Sequence, residues 1–146
     1  MGLVVHDEPM KVIGAEGREW GPPAHGLALS IQALHASDPE QLPEITAVIV
    51  NRSDGPQTLT VPGWLFYFDY EVESSPGVRV ELSGFGRQLL RPERKTERLE
   101  IVLTAGGHAA TEIPIGSLFG LRARTPYSIR LRAGELESNL VRVGQS

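Results

Sequence analysis

A chain of 146 residues has the length of a single domain, and it contains no cysteine, so neither disulfides nor thiolate metal sites can contribute to its stability. It carries 18 acidic and 14 basic side chains, and the formal net charge of -4 argues against nucleic-acid binding, which requires a basic surface. No apolar run approaches the roughly 18 residues needed to cross a bilayer, so the sequence predicts no membrane insertion.

Residues 1–25 are predicted to form an N-terminal arm or edge strand. Their short apolar pieces precede a segment, residues 20–23, whose glycine and prolines would stop them from continuing into the first strand of the domain. The arm lacks the basic start and long apolar stretch of a signal peptide, so we expect a cytoplasmic protein, or an exported one whose leader is absent from this chain. The arm residues suited to contacting a partner are Leu3, Val4, Val5, Val12, Ile13 and Trp20.

The first strand of the domain is predicted at residues 26–35, where apolar side chains alternate, although the alanine and leucine content also allows a helix. The loop after it brings Asp38, Glu40 and Glu44 close together in sequence. Such acids can bind calcium, but their spacing fits no EF-hand, and a solvated loop is the favoured interpretation.

Residues 44–82 are predicted to contain three to four strands separated by turns. A β-branched run at residues 45–50 is followed by the turn formers of residues 51–56 and by a second extended run at residues 57–61. Residues 64–72 are predicted to form a half-buried strand, with Trp64, Phe66, Phe68, Tyr70 and Val72 on one face. A turn then leads to a strand at residues 78–82.

The C-terminal half continues the same pattern. Residues 83–96 are predicted to be a solvated connection rather than an anion-binding patch, because acids neutralise part of their positive charge. A strand is predicted at residues 99–103, and residues 111–121 are predicted to form a short strand followed by a helical turn. In that turn Leu118 and Phe119 would close one end of the core. The last strand is predicted at residues 139–143.

The clearest amphipathic strand follows Pro126. Its apolar side chains, Tyr127, Ile129 and Leu131, alternate with the polar side chains Ser128, Arg130 and Arg132. The first set is predicted to face the core and the second set to face solvent.

No catalytic, cofactor-binding or metal-binding site is predicted. The four histidines, His6, His25, His35 and His108, are scattered without the spacing common in metal sites. Ser117 lacks the first glycine of a nucleophile elbow, and the glycines at 84 and 86 lack the third glycine of a dinucleotide loop. Asp69 and Glu71 share the predicted outer face of one strand, where acids usually serve solvation. Asn51-Arg52-Ser53 matches a glycosylation acceptor, although turn preferences alone explain Asn51.

The order of these segments resembles bacterial immunoglobulin-like and fibronectin-III-like β-sandwich modules. AVIVNRSDGPQTLTV resembles their hairpin of two strands around an Asn-x-Ser-Asp turn, RTPYSIRLRA their penultimate strand and SNLVRV their last strand. The resemblance implies an all-β fold, an immunoglobulin-like antiparallel β-sandwich of about seven to nine strands with an N-terminal arm, the sandwich covering residues 26–146. It also implies that the Tyr127 hydroxyl bonds back to the preceding crossover. The same hairpin and tyrosine strand are similar to those of small intracellular serine-protease inhibitors of bacilli.

These observations favour a non-enzymatic protein-interaction or structural module, whose role would include that of a subunit in a larger assembly. Its expected partner is another protein or a second copy of itself. The alternative is a protease-inhibitor-like protein that presents an exposed loop, either residues 36–43 or residues 84–92. The oligomeric state in solution is the observation that best separates the two.

Overall fold

The computed structural model describes residues 19–34, 42–61, 67–91, 100–122 and 125–143, together with the backbone of residues 4–6 and 99. Eleven strands and two short helices lie in these ranges. In chain order they are β1 (Val4–His6), β2 (Leu27–Leu34), β3 (Glu44–Asn51), β4 (Gln57–Val61), β5 (Asp69–Ser75), β6 (Val78–Arg79), α1 (Gly84–Leu89), β7 (Leu99–Leu103), β8 (His108–Ile113), α2 (Ile115–Phe119), β9 (Tyr127–Ala133), β10 (Leu136–Glu137) and β11 (Val141–Val143). Neither helix is long and apolar enough to cross a membrane.

The first sheet has the strand order β1-β8-β3-β2, and all of its pairs are antiparallel. The central strand β3 pairs along its whole length with β2, from Leu27 opposite Asn51 to Leu34 opposite Glu44. The helix that the composition left open at residues 26–35 is therefore excluded. One face of the sheet contributes Leu29, Ile31, Ile45, Ile49 and Ile113 to the core.

The second sheet is built around β9, which pairs with β5 on one side and with β10 and β11 in succession on the other. The alternation predicted for β9 is confirmed, because Tyr127, Ile129 and Leu131 are buried while the residues between them are more exposed. Val72 of β5 lies opposite Ile129 and is also buried. The all-β, antiparallel class predicted from the sequence is confirmed.

Tyr127 connects β9 to the crossover that precedes it. Its hydroxyl accepts a hydrogen bond of 3.0 Å from the backbone N–H of Arg122, which is the kind of bond that the sequence predicts for this tyrosine. Replacing Tyr127 with phenylalanine is expected to lower the free energy of unfolding by about 1 kcal/mol, because the Arg122 amide then lacks a protein partner. Urea titrations of this variant and of Ser128→Ala, on the outward face of the same strand, provide the comparison. Indistinguishable stabilities would contradict a structural role for the hydroxyl.

The predicted hairpin at residues 45–61 is wrong in its pairing. Strands β3 and β4 do not pair with each other, because both edges of β3 are already occupied by β2 and β8. Strand β4 pairs instead with β7, from Gln57 opposite Leu103 to Val61 opposite Leu99. The β4–β7 pair thus continues the β3–β8 pair as one ribbon, which is interrupted at Asn51 and at the turn around Gly106.

Asn51 holds this interruption together. Its side-chain amide donates hydrogen bonds to the carbonyl oxygens of Gly55 and Leu103, both at 2.9 Å, and to that of Thr104 at 3.2 Å. Its side-chain oxygen accepts hydrogen bonds from the N–H and the hydroxyl of Ser53. The residue is 0 % exposed, so every one of these bonds is shielded at least partly from water.

A helix replaces the first part of the solvated connection predicted at residues 83–96. Ser83 caps α1 by accepting a hydrogen bond of 3.0 Å from the Gly86 N–H, and the Ser83 N–H donates to the carbonyl oxygen of Leu118. Gly86 packs so closely against α2 that an added Cβ would lie 2.0 Å from the same Leu118 oxygen. The predicted helical turn at α2 is confirmed, with Leu118 and Phe119 buried in the core.

Two strand boundaries differ from those predicted. The strand predicted at residues 64–72 begins only at Asp69, while Trp64 and Phe66 lie outside the described residues. The strand predicted at residues 78–82 is reduced to β6, in which Val78 is 52 % exposed. β6 lies at the edge of its sheet and its register with β5 shifts between Glu73 and Ser75, so it has little to pack against.

Candidate interaction surfaces

The N-terminal arm begins as an edge strand of its own sheet. In β1, Val4 lies opposite Ala110, Val5 opposite Ala109 and His6 opposite His108. Residues 4–6 therefore form an edge strand, which is one of the two forms predicted for the arm. Leu3, Val12 and Ile13 lie outside the described residues.

The three described residues of β1 pair with the first half of β8. They pair with residues 108–110, whereas β3 on the opposite side pairs with six residues of β8. Within the described part of the chain, the backbone of residues 111–113 has no strand partner on the β1 side. The outer edge of a sheet can pair with an extended strand through backbone N–H and C=O groups.

The opposite edge of the same sheet is closed by polar groups rather than by a strand. The Asn139 side chain accepts a hydrogen bond of 2.8 Å from the Ile31 N–H and donates one of 3.0 Å to the Ile31 carbonyl oxygen. The Gly21 N–H donates to the carbonyl oxygen of Leu29, and the Ser30 hydroxyl donates to that of Glu19. The bonds at Ile31 and Leu29 occupy backbone groups of β2 that would otherwise pair with another chain.

The end of the arm is joined to β2 by a tight turn. His25 and Gly26 both have positive φ, 53° and 80°, and Ala24 and Leu27 exchange two backbone hydrogen bonds across them. This is the pattern of a two-residue hairpin turn of type I′. The turn sets residues 19–24 beside β2, where Pro22 and Pro23 cannot donate backbone hydrogen bonds.

Trp20 does not offer a bare ring for stacking on a ligand. It is half-buried, and the Arg52 guanidinium lies 4.8 Å from the centre of its ring. This distance is within the range of a cation–π contact. The contact joins the arm to the turn after β3.

The outward face of the second sheet carries a row of ion pairs. Glu71 accepts hydrogen bonds from Arg79 at 2.9 Å and from Arg132 at 3.2 Å, and Arg132 also contacts Glu137 at 3.1 Å. A shallow depression of about 100 Å³ beside them is lined by Glu71, Glu73, Arg79, Ser128, Arg130 and Leu140. Two acids and two arginines balance there, so the depression has no excess charge with which to select an ion.

The residues considered for chemistry are dispersed in the structure. His25 contacts Glu135 at 2.5 Å on the exposed surface, and Ser117 lies within α2. No group of three or more histidine, aspartate or glutamate side chains that could hold a metal ion occurs among the described residues. Of the candidate calcium ligands, Asp38 and Glu40 lie outside the described residues, and Glu44 begins β3.

Tyr70 is the described group whose pKa departs most from its ordinary value. Burial raises the pKa of the Tyr70 hydroxyl, and burial also raises that of the neighbouring Tyr67. Both phenols therefore stay protonated at neutral pH. They can donate hydrogen bonds, but they do not act as bases there.

The Asn51-Arg52-Ser53 sequence is not an available glycosylation site in the folded protein. The Asn51 amide nitrogen, which would carry the sugar, is buried and donates to three carbonyl oxygens. Asn51 therefore acts as a turn residue, as its backbone preferences suggested.

Two features escaped the sequence analysis. The sequence did not indicate that the Asn139 side chain bonds to the backbone of β2. An asparagine before a short strand is common, and the sequence does not show which strand lies beside it. The pairing of His6 with His108 joins residues too far apart in sequence for any spacing rule to connect them.

The chain matches no model of a known protein family, no curated protein and no solved structure.

Proposed function

We propose that this protein is a non-enzymatic interaction module that self-associates by strand exchange. In this proposal β1 of one copy pairs with β8 of a second copy, and the second copy returns the same contact. The observation that carries the proposal is the β1–β8 pairing, in which a strand of three residues from the N-terminal arm pairs with the outer side of β8.

The acceptor edge is the outer side of β8. There β1 pairs with residues 108–110, while β3 pairs with residues 108–113 on the other side. Backbone hydrogen bonds along such an edge provide affinity for an extended segment of another chain, and side-chain packing then provides specificity.

A second copy is the partner that the structure favours. The strand that fits β8 is the chain's own β1, and exchanging identical strands between two copies preserves every pair while adding no new contact, which keeps the energetic cost low. Because Asn139 and Gly21 occupy backbone groups of β2, pairing at this sheet is directed to the β1–β8 edge.

We also propose that the two sheets form an immunoglobulin-like sandwich. The succession β2-β3-β8 in one sheet and the neighbours β5 and β9 in the other support this arrangement, as does the Tyr127 bond to the crossover before β9. The eleven strands exceed the seven to nine expected, because several are only two or three residues long.

The inhibitor alternative gains no support from the described residues. The loop predicted at residues 84–92 is helical over Gly84–Leu89, and a helix does not offer the extended backbone that a protease cleft accepts. The other loop, residues 36–43, lies outside the described residues except for its last two positions.

The proposal is tested by cross-linking between two single-cysteine variants. Because the chain has no cysteine, Val4→Cys and Ala110→Cys each supply the only thiol of their chain. Directly paired residues of antiparallel strands lie about 4.5 to 5.5 Å apart between Cα atoms, a separation that a disulfide can span. Mixing the two variants under mild oxidation is expected to give a mixed disulfide, detected by its mass, since this bond can form only between copies.

The matched control replaces Ala110→Cys with Thr58→Cys, an exposed residue of β4. This mixture should give much less mixed disulfide. Deleting residues 1–6 should also shift the native chain toward the monomer in sedimentation experiments. A native chain that is monomeric at all concentrations, with no excess mixed disulfide over the control, would overturn the proposal.

A further inference from the structure

The turn after β3 contains an Asp-Gly pair, Asp54-Gly55, and the sequence has no other. The Asp54 side chain is exposed, and within the described part of the chain it makes no hydrogen bond or ion pair. The Gly55 N–H donates no hydrogen bond to any described residue either. A carboxyl group and the backbone nitrogen that follows it are therefore both left without a partner among these residues.

A backbone nitrogen next to an aspartate can react with its carboxyl group. The nitrogen attacks Cγ and closes a succinimide ring, while the proton of the nitrogen and the hydroxyl of the carboxyl group leave together as water. Adding water to the ring restores aspartate if the new N–Cγ bond breaks. If the original peptide C–N bond breaks instead, the main chain runs through Cβ and Cγ, and the residue is isoaspartate. The water lost is regained, so the step needs no oxidant and no other reactant.

The residue after the aspartate controls how readily the ring closes. Glycine has no Cβ to obstruct its own nitrogen, and its backbone adopts more conformations than that of any other residue. The surroundings of Gly55 are open as well, because even an added Cβ would meet no atom within 4 Å. We propose that Asp54-Gly55 is a modification site, at which the folded protein converts Asp54 into isoaspartate without an enzyme.

The Gly55 carbonyl group connects this site to the interior of the protein. Its oxygen accepts hydrogen bonds of 2.9 Å from the Asn51 side-chain amide and of 2.9 Å from the Ser53 hydroxyl. Isoaspartate places an additional methylene carbon in the main chain immediately before Gly55, so the carbonyl oxygen moves relative to the buried Asn51 amide. Because buried hydrogen bonds contribute to stability, the modification weakens the hold of Asn51 on its turn.

The test follows isoaspartate in the folded chain during incubation at neutral pH and physiological temperature. Peptide mapping combined with enzymatic methylation of isoaspartyl groups measures it at Asp54 and at Asp69. Asp69 is the internal comparison, because it is exposed, lies in β5 and precedes a tyrosine instead of a glycine. We expect isoaspartate to accumulate at Asp54 and to stay at background at Asp69.

Two variants separate the roles of the reacting groups. Gly55→Ala should form isoaspartate several-fold more slowly, because its Cβ obstructs the nitrogen and restricts the backbone. This variant should fold, since the position has space for a Cβ and does not have positive φ. Asp54→Glu is the matched control, which keeps the charge and should stay at background, because the longer side chain must close a larger and less favourable ring.

The consequence for stability is measured on the modified chain itself. The isoaspartate form, separated by chromatography after incubation, should unfold at a lower Tm than the unmodified chain from the same sample. The modification site is overturned if Asp54 gains no more isoaspartate than Asp69, or if Gly55→Ala gains it as fast as the native chain. Equal Tm values for the two forms would overturn the connection through Asn51.

Discussion

Replacing Ile129 with alanine is expected to lower the free energy of unfolding by about 2 to 5 kcal/mol. Ile129 is 0 % exposed and lies at the centre of β9, opposite Val72 of β5 and opposite Val141 of β11. Truncation removes its buried methyl and methylene groups and leaves a cavity between the two sheets. The two neighbouring strands β5 and β11 hold the site in place, so the surrounding side chains cannot easily fill the cavity.

Arg130→Ala is the control for this prediction, because Arg130 is the next residue on the same strand and faces outward. Its guanidinium lies 3.6 Å from Glu137 on a partly exposed surface, and such ion pairs contribute at most about 1 kcal/mol. Guanidinium titrations of both variants at neutral pH give the comparison. Equal midpoints for the two would show that the assignment of faces on β9 is wrong.

Changing Asn51 to aspartate is expected to cost about 3 kcal/mol or more at neutral pH. The substitution keeps the shape of the side chain and its bonds from Ser53. It replaces the amide donor with a buried carboxylate oxygen that faces the carbonyl oxygens of Gly55, Leu103 and Thr104. Repulsion and burial raise the pKa of the introduced carboxyl, so the loss of stability should shrink as the pH falls and the group becomes protonated.

Asp54→Asn makes the reverse change three residues later in the same turn. Asp54 is exposed, so this variant should remain within about 0.5 kcal/mol of the native chain. Thermal unfolding of both variants between pH 4 and pH 8 would check the prediction. If Asn51→Asp matched Asp54→Asn at every pH, the hydrogen bonds of Asn51 would have no part in holding the ribbon together.

The local features of the fold could be predicted from the sequence. The alternation in β9 depends only on which side chains prefer the core, and turn residues such as Gly134, with φ of 63°, mark where the chain reverses. For the same reason the helical turn at Leu118 and Phe119 and the class of the fold were predicted correctly.

The pairing of strands and the contacts between segments that are distant in sequence could not be predicted from the sequence. The sequence shows that β3 and β4 are strands, but the occupied edges of β3 decide that β4 pairs with β7. Helix α1 contains Gly84 and Gly86, which disfavour helices, and it forms because Ser83 caps it and Gly86 fits against the Leu118 carbonyl.

The position of β1 has a consequence for synthesis. Val4 emerges from the ribosome long before Ala110, its partner in the β8 strand. At roughly 5 to 20 residues per second, β1 waits on the order of ten seconds without its own edge to join. In the proposed strand exchange, this interval is the time during which β1 is available to the β8 edge of a second copy.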